Sequence, residues 1–119
     1  KVETKRAIEQ AAKNIFFETS KDILKRESFD DIDRLVKILK EFPEASVTIE
    51  GHTDSDGDPA KNLDLSQRRA DAVVVYMLGK GISPQRMKAV GFGDSRPKVP
   101  NTSVVNKATN RRVEIVVTY

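Results

Sequence analysis

The sequence has 119 residues, 38% of them apolar and 33% charged, and its 21 lysines and arginines against 18 acids give a net charge of +3. This length is typical of a single domain, and the frequent, regularly spaced apolar residues argue against intrinsic disorder. The absence of cysteine excludes disulfide bonds, thiolate nucleophiles and cysteine-ligated zinc. No segment approaches the roughly 20 consecutive apolar residues of a membrane-spanning helix, so we expect no direct membrane insertion by this chain.

The hydrophobic pattern predicts alternating strands and helices, preceded by a lead-in helix or linker at residues 1–13. The apolar, β-prone run Ile15-Phe16-Phe17 predicts a first strand. Apolar residues at steps of three and four over residues 28–39 predict an amphipathic helix, which ends before Pro43 because proline removes a backbone donor. The elements expected after it are a strand at 47–51, a polar loop at 52–61, a helix at 62–78, a strand at 86–92, a loop at 95–109 and a strand at 112–119.

This order, β-α-β-α-β-β over residues 14–119, predicts one α+β domain. Helices packed on one face of a mixed four-stranded sheet would bury the apolar sides of both layers. We therefore expect a two-layer sandwich in which the two β-α-β crossovers are right-handed, as such connections almost always are.

Candidate catalytic groups are scarce. His52 is the only histidine, which excludes metal sites built on a histidine pair. Asp54 and Ser55 follow it in one turn, where three neighbouring side chains cannot readily converge as nucleophile, base and orienting acid. Gly91-Phe92-Gly93 lacks the third glycine and the following helix of a dinucleotide loop. We therefore predict no enzymatic activity and interpret His52 as a structural or hydrogen-bonding residue.

The loop after the second predicted strand carries an aspartate at every other position from Asp54 to Asp58. This pattern resembles the first half of a calcium-binding loop. An EF-hand needs glycine at its sixth position and glutamate at its twelfth, and these positions hold Pro59 and Leu65 in this sequence. We predict neither a bound metal nor a cofactor, and we favour a solvated turn for residues 56–59.

One set of polar residues indicates a binding site. Asp54 lies just beyond the second strand, and Asn62, Ser66 and Arg69 fall at i, i+4 and i+7 of the long helix, on one face of its first two turns. An acid and an arginine could thus flank one hollow beside the free N–H groups of the helix start. Such a hollow suits a zwitterion, because a carboxylate binds an ammonium and a guanidinium binds a carboxylate. The alternative is that Asp54 and Arg69 form a structural ion pair with each other.

Four motifs occur together in this order: Gly51-His52-Thr53-Asp54, Asn62 to Ala70, Gly91-Phe92-Gly93 and Asn110-Arg111-Arg112-Val113. Through them residues 14–119 resemble the OmpA-like peptidoglycan-binding domain. The resemblance implies a periplasmic domain of a bacterial outer-membrane-associated protein that binds the stem peptide of peptidoglycan without covalent chemistry. The group it would bind is the terminal amino-acid group of meso-diaminopimelate, and the domain would anchor its parent protein or complex to the cell wall.

The resemblance also implies a role for each matching position. Asp54 would bind the ammonium of the ligand and Arg69 its carboxylate. The other implied site residues are Thr53 and Asn62 as hydrogen-bonding groups, Leu65 as an apolar contact, Arg111 as a contact to the stem peptide, and Phe17, Glu18 and Ser20 as the opposite wall. Glu18 stands where family members often carry aspartate, and Asn106-Lys107-Ala108 stands where Gly-Arg-Ala is common. We expect the wall and the loop before Arg111 to differ accordingly.

Two other classes of function are compatible with the residues alone. A protein–protein docking module of an envelope assembly would use Asp54 and Arg69 as its structural ion pair. A nucleic-acid-binding protein would use the basic side chains Arg68, Arg86, Arg96 and Arg112, but the basic residues alternate with acids and the net charge is small. Any homodimer or larger envelope complex would form through parent segments outside this chain.

Overall fold

The structure, a computed structural model, describes residues 2–11, 15, 17, 23–26 and 28–118. Its helices and strands are, in chain order, α1 (Val2–Ala11), α2 (Ser28–Glu41), β1 (Ser46–His52), α3 (Pro59–Gly79), β2 (Met87–Gly93), α4 (Val104–Asn110) and β3 (Arg112–Thr118). β1 lies at the centre of the sheet, parallel to β2 and antiparallel to β3. Within the described part of the chain, no helix combines the length and the apolar character needed to cross a bilayer.

The predicted α+β class and the mixed sheet are confirmed, but the strand count differs. The sheet formed by the described residues has three strands in the order β2-β1-β3, where four were predicted. The run predicted as the first strand contributes one antiparallel bridge, from Phe17 to Leu24, and Phe16 lies outside the described residues. Phe17 thus pairs with a residue close by in the chain instead of with the sheet, and a run this short carries no other signal for its pairing partner.

A second correction concerns residues 95–109, which were predicted as a loop. Their last part begins α4, whose N-cap Ser103 accepts a hydrogen bond from the Asn106 N–H at 3.0 Å. The helix starts with Val104 and Val105, of which 82% and 74% of the surface is exposed. A seven-residue helix whose apolar residues face solvent has no buried stripe, so hydrophobic periodicity could not reveal it.

The apolar core lies between the sheet and helices α1, α2 and α3. Side chains alternate along β1, where Val47 and Ile49 point into the core, and β3 contributes every second residue from Val113 to Val117. The helices cover this face of the sheet with Ile8, Ile32, Leu35, Val36, Leu39, Ala70, Val73 and Met77. The packing is the predicted one of helices on one sheet face, and α1 takes part in it through Ile8. The boundary predicted between residues 1–13 and the rest stays a prediction.

Two glycines allow α3 to lie close to the sheet. Gly51 in β1 and Gly91 in β2 pair with each other across the strands. A Cβ atom on Gly51 would lie 2.1 Å from the carbonyl oxygen of Ser66, and one on Gly91 would lie 2.4 Å from the backbone nitrogen of Gln67. The Gln67 side chain donates to the Ala89 carbonyl at 3.1 Å and accepts from the Gly91 N–H at 2.9 Å. These contacts fix the N-terminal half of α3 over the carboxyl ends of β1 and β2.

Replacing Gly51 by alanine should lower the free energy of unfolding by about 1–3 kcal/mol, because the added methyl group overlaps the backbone of α3. Urea denaturation measures this loss. Gly79→Ala is the matched control, since a Cβ atom there meets no atom within 4 Å, and its effect should stay below about 1 kcal/mol. Equal stability of the two variants would contradict the close approach of α3.

Asn110 fixes the segment between β2 and α4. Its side chain is fully buried. Oδ1 accepts the backbone N–H groups of Lys98 at 2.8 Å and Val99 at 3.1 Å, while Nδ2 donates to the Val99 carbonyl at 2.8 Å and to Asn101 Oδ1 at 2.9 Å. Because Asn110 is the last residue of α4, these four bonds also fix the backbone position of the next residue, Arg111.

Asn110→Ala should lower the free energy of unfolding by about 3 kcal/mol, because it removes the four hydrogen bonds made by a fully buried side chain. Asn106→Ala serves as the control, since its amide makes one long bond of 3.4 Å to Thr102 at the surface, and it should cost about 0.5 kcal/mol or less. Thermal or urea unfolding of both variants provides the measurement. A loss for Asn110→Ala no larger than for the control would show that the four bonds do not stabilise the fold.

Candidate functional site

The candidate site lies where β1 leaves the sheet and α3 begins. The Thr53 N–H donates to the Gly93 carbonyl at 2.8 Å, which keeps the chain beside β2 as it leaves β1. Thr53 Oγ1 donates to the Asp54 carbonyl at 2.9 Å. Asn62 Nδ2 donates to the carbonyls of Asp54 at 3.4 Å and Asp56 at 2.8 Å. The loop is therefore held both by its own side chain and by the first turn of α3.

Each aspartate of this loop has a different local role. Asp58 is the N-cap of α3, and its Oδ1 accepts the Ala60 N–H at 3.1 Å. Asp54 Oδ1 accepts the Asp56 N–H at 2.9 Å, which closes the turn between them. The exposed Asp56 carboxylate pairs with Lys107 Nζ at 3.0 Å. Helix capping, turn closure and an ion pair thus account for the three carboxylates, which supports a turn over a calcium loop.

A cavity of about 630 Å³ is lined by this loop, α3 and α4. Seven of the nine residues predicted for the site line it, namely Phe17, Thr53, Asp54, Asn62, Leu65, Arg69 and Arg111. Glu18 and Ser20 lie outside the described residues. The remaining lining, which the sequence did not predict, consists of Ile15, Lys25, Asp56, Ala108, Arg112 and Val113. The structure brings these seven predicted residues together, and the role of all nine in binding stays a prediction.

Two buried charges of opposite sign line the cavity. Asp54 is 7% exposed and Arg69 is 8% exposed. The Arg69 guanidinium lies over the Phe17 ring, 5.2 Å from its centroid, at the distance of a cation–π contact. Asp54 Oδ2 accepts a hydrogen bond from Arg111 Nη1 at 2.5 Å. The structure therefore pairs Asp54 with Arg111, instead of the Asp54–Arg69 pair considered from the sequence.

α4 and its C-cap residue provide two cations to the loop between β1 and α3, residues 53–58, which we call the acidic loop. Lys107 and Arg111 are four residues apart, and they pair with Asp56 and Asp54 respectively. Arg111 was predicted as a site residue, whereas the pairing of Lys107 was not. The spacing of four between two basic residues was the available signal, because such residues face the same way on a helix. That signal could be used only once α4 was known to exist.

A polar network surrounds His52 at the end of β1. The imidazole is buried and stacks on Phe92, with ring centroids 5.5 Å apart. His52 Nε2 lies 3.3 Å from Glu50 Oε1 and 3.5 Å from Glu114 Oε2. Burial, and then the positive charge of Arg112, lower the pKa of His52 from its usual value. The imidazole is therefore neutral at pH 7, in keeping with a hydrogen-bonding role.

Glu50, His52 and Glu114 offer ligand atoms within 4.8 Å of one another, a spacing compatible with a metal ion. Arg112 Nε donates to Glu114 Oε2 at 2.7 Å, and its Nη2 donates to the Arg96 carbonyl at 2.9 Å. A metal ion at this place would be repelled by the guanidinium fixed beside it. Arg112 already supplies the positive charge that the two carboxylates require, so we assign a structural role to this network.

The other arginines considered for nucleic-acid binding are engaged by protein groups. Arg86 donates to three carbonyls at the end of α2 and in the turn that follows it, at 2.7–2.9 Å. Arg68 pairs with Asp64 at 2.8 Å, and the Arg96 guanidinium lies 3.8 Å from the Phe92 ring centroid. These contacts favour structural roles for the arginines and weaken the nucleic-acid alternative.

Comparison with known proteins identifies relatives of the whole domain. Residues 16–111 match the model of the OmpA family. The chain is 41% identical to outer membrane porin F of Pseudomonas fluorescens, over 85% of this chain and 31% of that protein. It is 38% identical to the peptidoglycan-binding protein ArfA of Mycobacterium tuberculosis, over 75% of this chain and 27% of that protein. The chain thus spans about a third or less of the length of these two relatives.

The fold is also that of a solved structure. The crystal structure of the peptidoglycan-associated lipoprotein from Burkholderia pseudomallei matches with a TM-score of 0.82 and 27% identity, over 87% of this chain and 88% of that chain. The family match includes β1, the acidic loop, α3 and α4, which together carry the cavity. On this evidence the chain belongs to the OmpA family.

Proposed function

We propose that this domain binds peptidoglycan non-covalently in the periplasm and thereby anchors an outer-membrane protein or complex to the cell wall. The names of its relatives support this function, since they include an outer-membrane porin, a peptidoglycan-binding protein and a peptidoglycan-associated lipoprotein. The domain performs no chemical step in this proposal. It acts as a reversible tether whose strength depends on the cavity between the acidic loop, α3 and α4.

The observation that carries the finer proposal is the pair of buried opposite charges in one cavity. Asp54 comes from the loop and Arg69 from α3, and both are more than nine-tenths buried. Because water is largely excluded from both groups, each binds an ionic partner more strongly than an exposed side chain would. A guest with an ammonium and a carboxylate on one carbon matches this arrangement. We propose that the guest is the free amino-acid end of meso-diaminopimelate in the stem peptide.

The other cavity residues have supporting roles in this proposal. Thr53 and Asn62 hold the backbone of the loop through their hydrogen bonds to its carbonyls, so they keep the Asp54 carboxylate in place. The half-buried Leu65 gives an apolar surface for the methylene groups of the ligand. The Phe17 ring packs on Arg69 and limits the directions in which its guanidinium can point. The charges of Asp54 and Arg69 are the groups that meet the ligand ammonium and carboxylate in this proposal.

The expected affinity of a single site is modest. Charge-assisted hydrogen bonds contribute about 1.5–3 kcal/mol each, and two or three of them must offset the ordering of the ligand and of the cavity side chains. A dissociation constant in the range of about micromolar to millimolar follows. Because stem peptides repeat along the polymer, many such domains on one envelope would bind the wall much more firmly than one does.

Asp54→Asn and Arg69→Gln should each reduce cosedimentation with purified diaminopimelate-type sacculi at least about tenfold, because each removes one charge of the pair while keeping a polar side chain. Asp64→Asn and Arg68→Gln are the matched controls, since these residues form an ion pair on the exposed face of α3 outside the cavity. Circular dichroism should show an unchanged fold for all four variants. Undiminished binding by both cavity variants would contradict the assignment of the site.

Amidation of the free carboxylate of diaminopimelate should also weaken binding, by about tenfold, because the group facing Arg69 then loses its charge. Sacculi or stem peptides with amidated and free diaminopimelate provide the comparison. Arg69→Gln should discriminate less between the two forms than the unmodified protein does, since it lacks one cation that meets the carboxylate. Equal binding of both forms by the unmodified protein would place the carboxylate elsewhere.

A further inference from the structure

Arg111 stands at the place where the proposed ligand would put its ammonium group. Its Nη1 donates to Asp54 Oδ2, the same carboxylate that the proposed function assigns to the ammonium. The second carboxylate oxygen accepts the Asp56 N–H, so one oxygen closes the turn and the other takes the cation. A ligand ammonium that reaches Asp54 must therefore compete with Arg111.

We propose that Arg111 is an internal competitor that makes the site selective for ligands bearing a carboxylate beside their ammonium. On binding, the ligand ammonium replaces the guanidinium at Asp54, and the displaced guanidinium binds the ligand carboxylate together with Arg69. A ligand that ends in an amine alone displaces Arg111 without offering it a new partner. This inference rests on the proposed function and states how the site distinguishes one class of stem peptide from another.

The contacts of Arg111 allow its side chain to move. It is 45% exposed, against 10% for the Asp54 side chain, and the ion pair with Asp54 is the polar side-chain contact that the described part of the molecule gives it. Arg112 is held more firmly, since its side chain is 16% exposed and donates to one carboxylate and two carbonyls. Of these two neighbouring arginines, Arg111 is the one that can change partners at low cost.

The backbone around Arg111 is fixed while the side chain moves. Its N–H donates to the Lys107 carbonyl at 3.1 Å as the C-cap of α4, and β3 begins at the next residue. The ion pair between Lys107 and Asp56 links α4 to the acidic loop independently of Arg111. The exchange at Asp54 thus needs a new side-chain rotamer and no opening of the cavity wall.

The selectivity follows from counting charges in the cavity. A zwitterion brings one charge of each sign, so Asp54 receives the ammonium and the displaced Arg111 receives the carboxylate. An amine brings a positive charge only, so the displaced guanidinium exchanges its ion pair with Asp54 for solvent and receives no carboxylate in return. The lost ion pair is not replaced, and this loss discriminates against the amine.

The experiment compares two probes that differ by one carboxylate. One is diaminopimelate with one amino-acid end blocked as the acetyl amide and the other end free. The second is Nα-acetyl-lysine amide, which ends in an ammonium alone. Dissociation constants are measured by NMR titration for the unmodified domain, for Arg111→Gln and Arg111→Lys, and for the control Arg68→Gln, which removes one positive charge outside the cavity.

We expect the unmodified domain, Arg68→Gln and Arg111→Lys to prefer the zwitterionic probe by about tenfold or more. Arg111→Gln should bind the amine probe severalfold more tightly than the unmodified domain does and the zwitterion more weakly, so that the preference becomes smaller and only the contribution of Arg69 remains. An equal loss for both probes, or no change for either, overturns this inference and leaves the proposed function standing. Failure of the unmodified domain to bind the zwitterionic probe overturns both.

Discussion

The rest of the structure depends on one constraint. Asp54 and Arg69 both lie in the wall of one cavity, and more than nine-tenths of each residue is excluded from water. A buried charge without partners is unstable, and in most proteins it would be lost or neutralised. Asp54 is stabilised by the Asp56 N–H and by Arg111, and the Arg69 guanidinium by the Phe17 ring. Both charges are therefore stabilised in the wall of the cavity, and the space between the acidic loop and α3 stays open.

The close approach of the α3 backbone to β1 and β2 holds these charged residues in place. Gly51 and Gly91 let the N-terminal half of α3 contact the sheet directly, and Ser66 donates to the Leu63 carbonyl while accepting the Gly93 N–H at 2.9 Å. These contacts connect the helix to the strand ends with little freedom to slide. An arginine on the next turn of such a helix is positioned as firmly as a core residue, although its charged end faces the cavity.

Much of the fold and of the cavity could be predicted from the sequence, because both depend on patterns among residues that are close together in the chain. Alternating apolar residues predicted β1 and β3, and helical spacing with a flanking proline predicted α2. The motif from Asn62 to Arg69 placed Asn62, Ser66 and Arg69 on one helical face. The structure brings Asn62 and Arg69 to the cavity, whereas Ser66 is buried and accepts the Gly93 N–H. These signals extend over neighbouring residues, so they do not depend on knowing the tertiary structure.

The features that the sequence did not reveal depend on long-range contacts. α4 has exposed valines and no apolar stripe, so its helical form depends on Ser103 as N-cap and on Asn110 at its end. The pairing of Asp54 with Arg111 joins residues far apart in the chain, and from residue types alone Arg69 was an equally good partner. Among the described residues the sheet has no fourth strand. This difference reflects the same limit, because a short β-prone run does not specify where it will pair.

The amide of Gln67 has a consequence beyond the packing of α3. β2 is an outer strand of the sheet, and such strands expose backbone groups that can recruit a strand from another molecule. Gln67 occupies the Ala89 carbonyl and the Gly91 N–H there, much as a neighbouring strand would. On that flank the domain therefore resists edge-to-edge aggregation with a second copy.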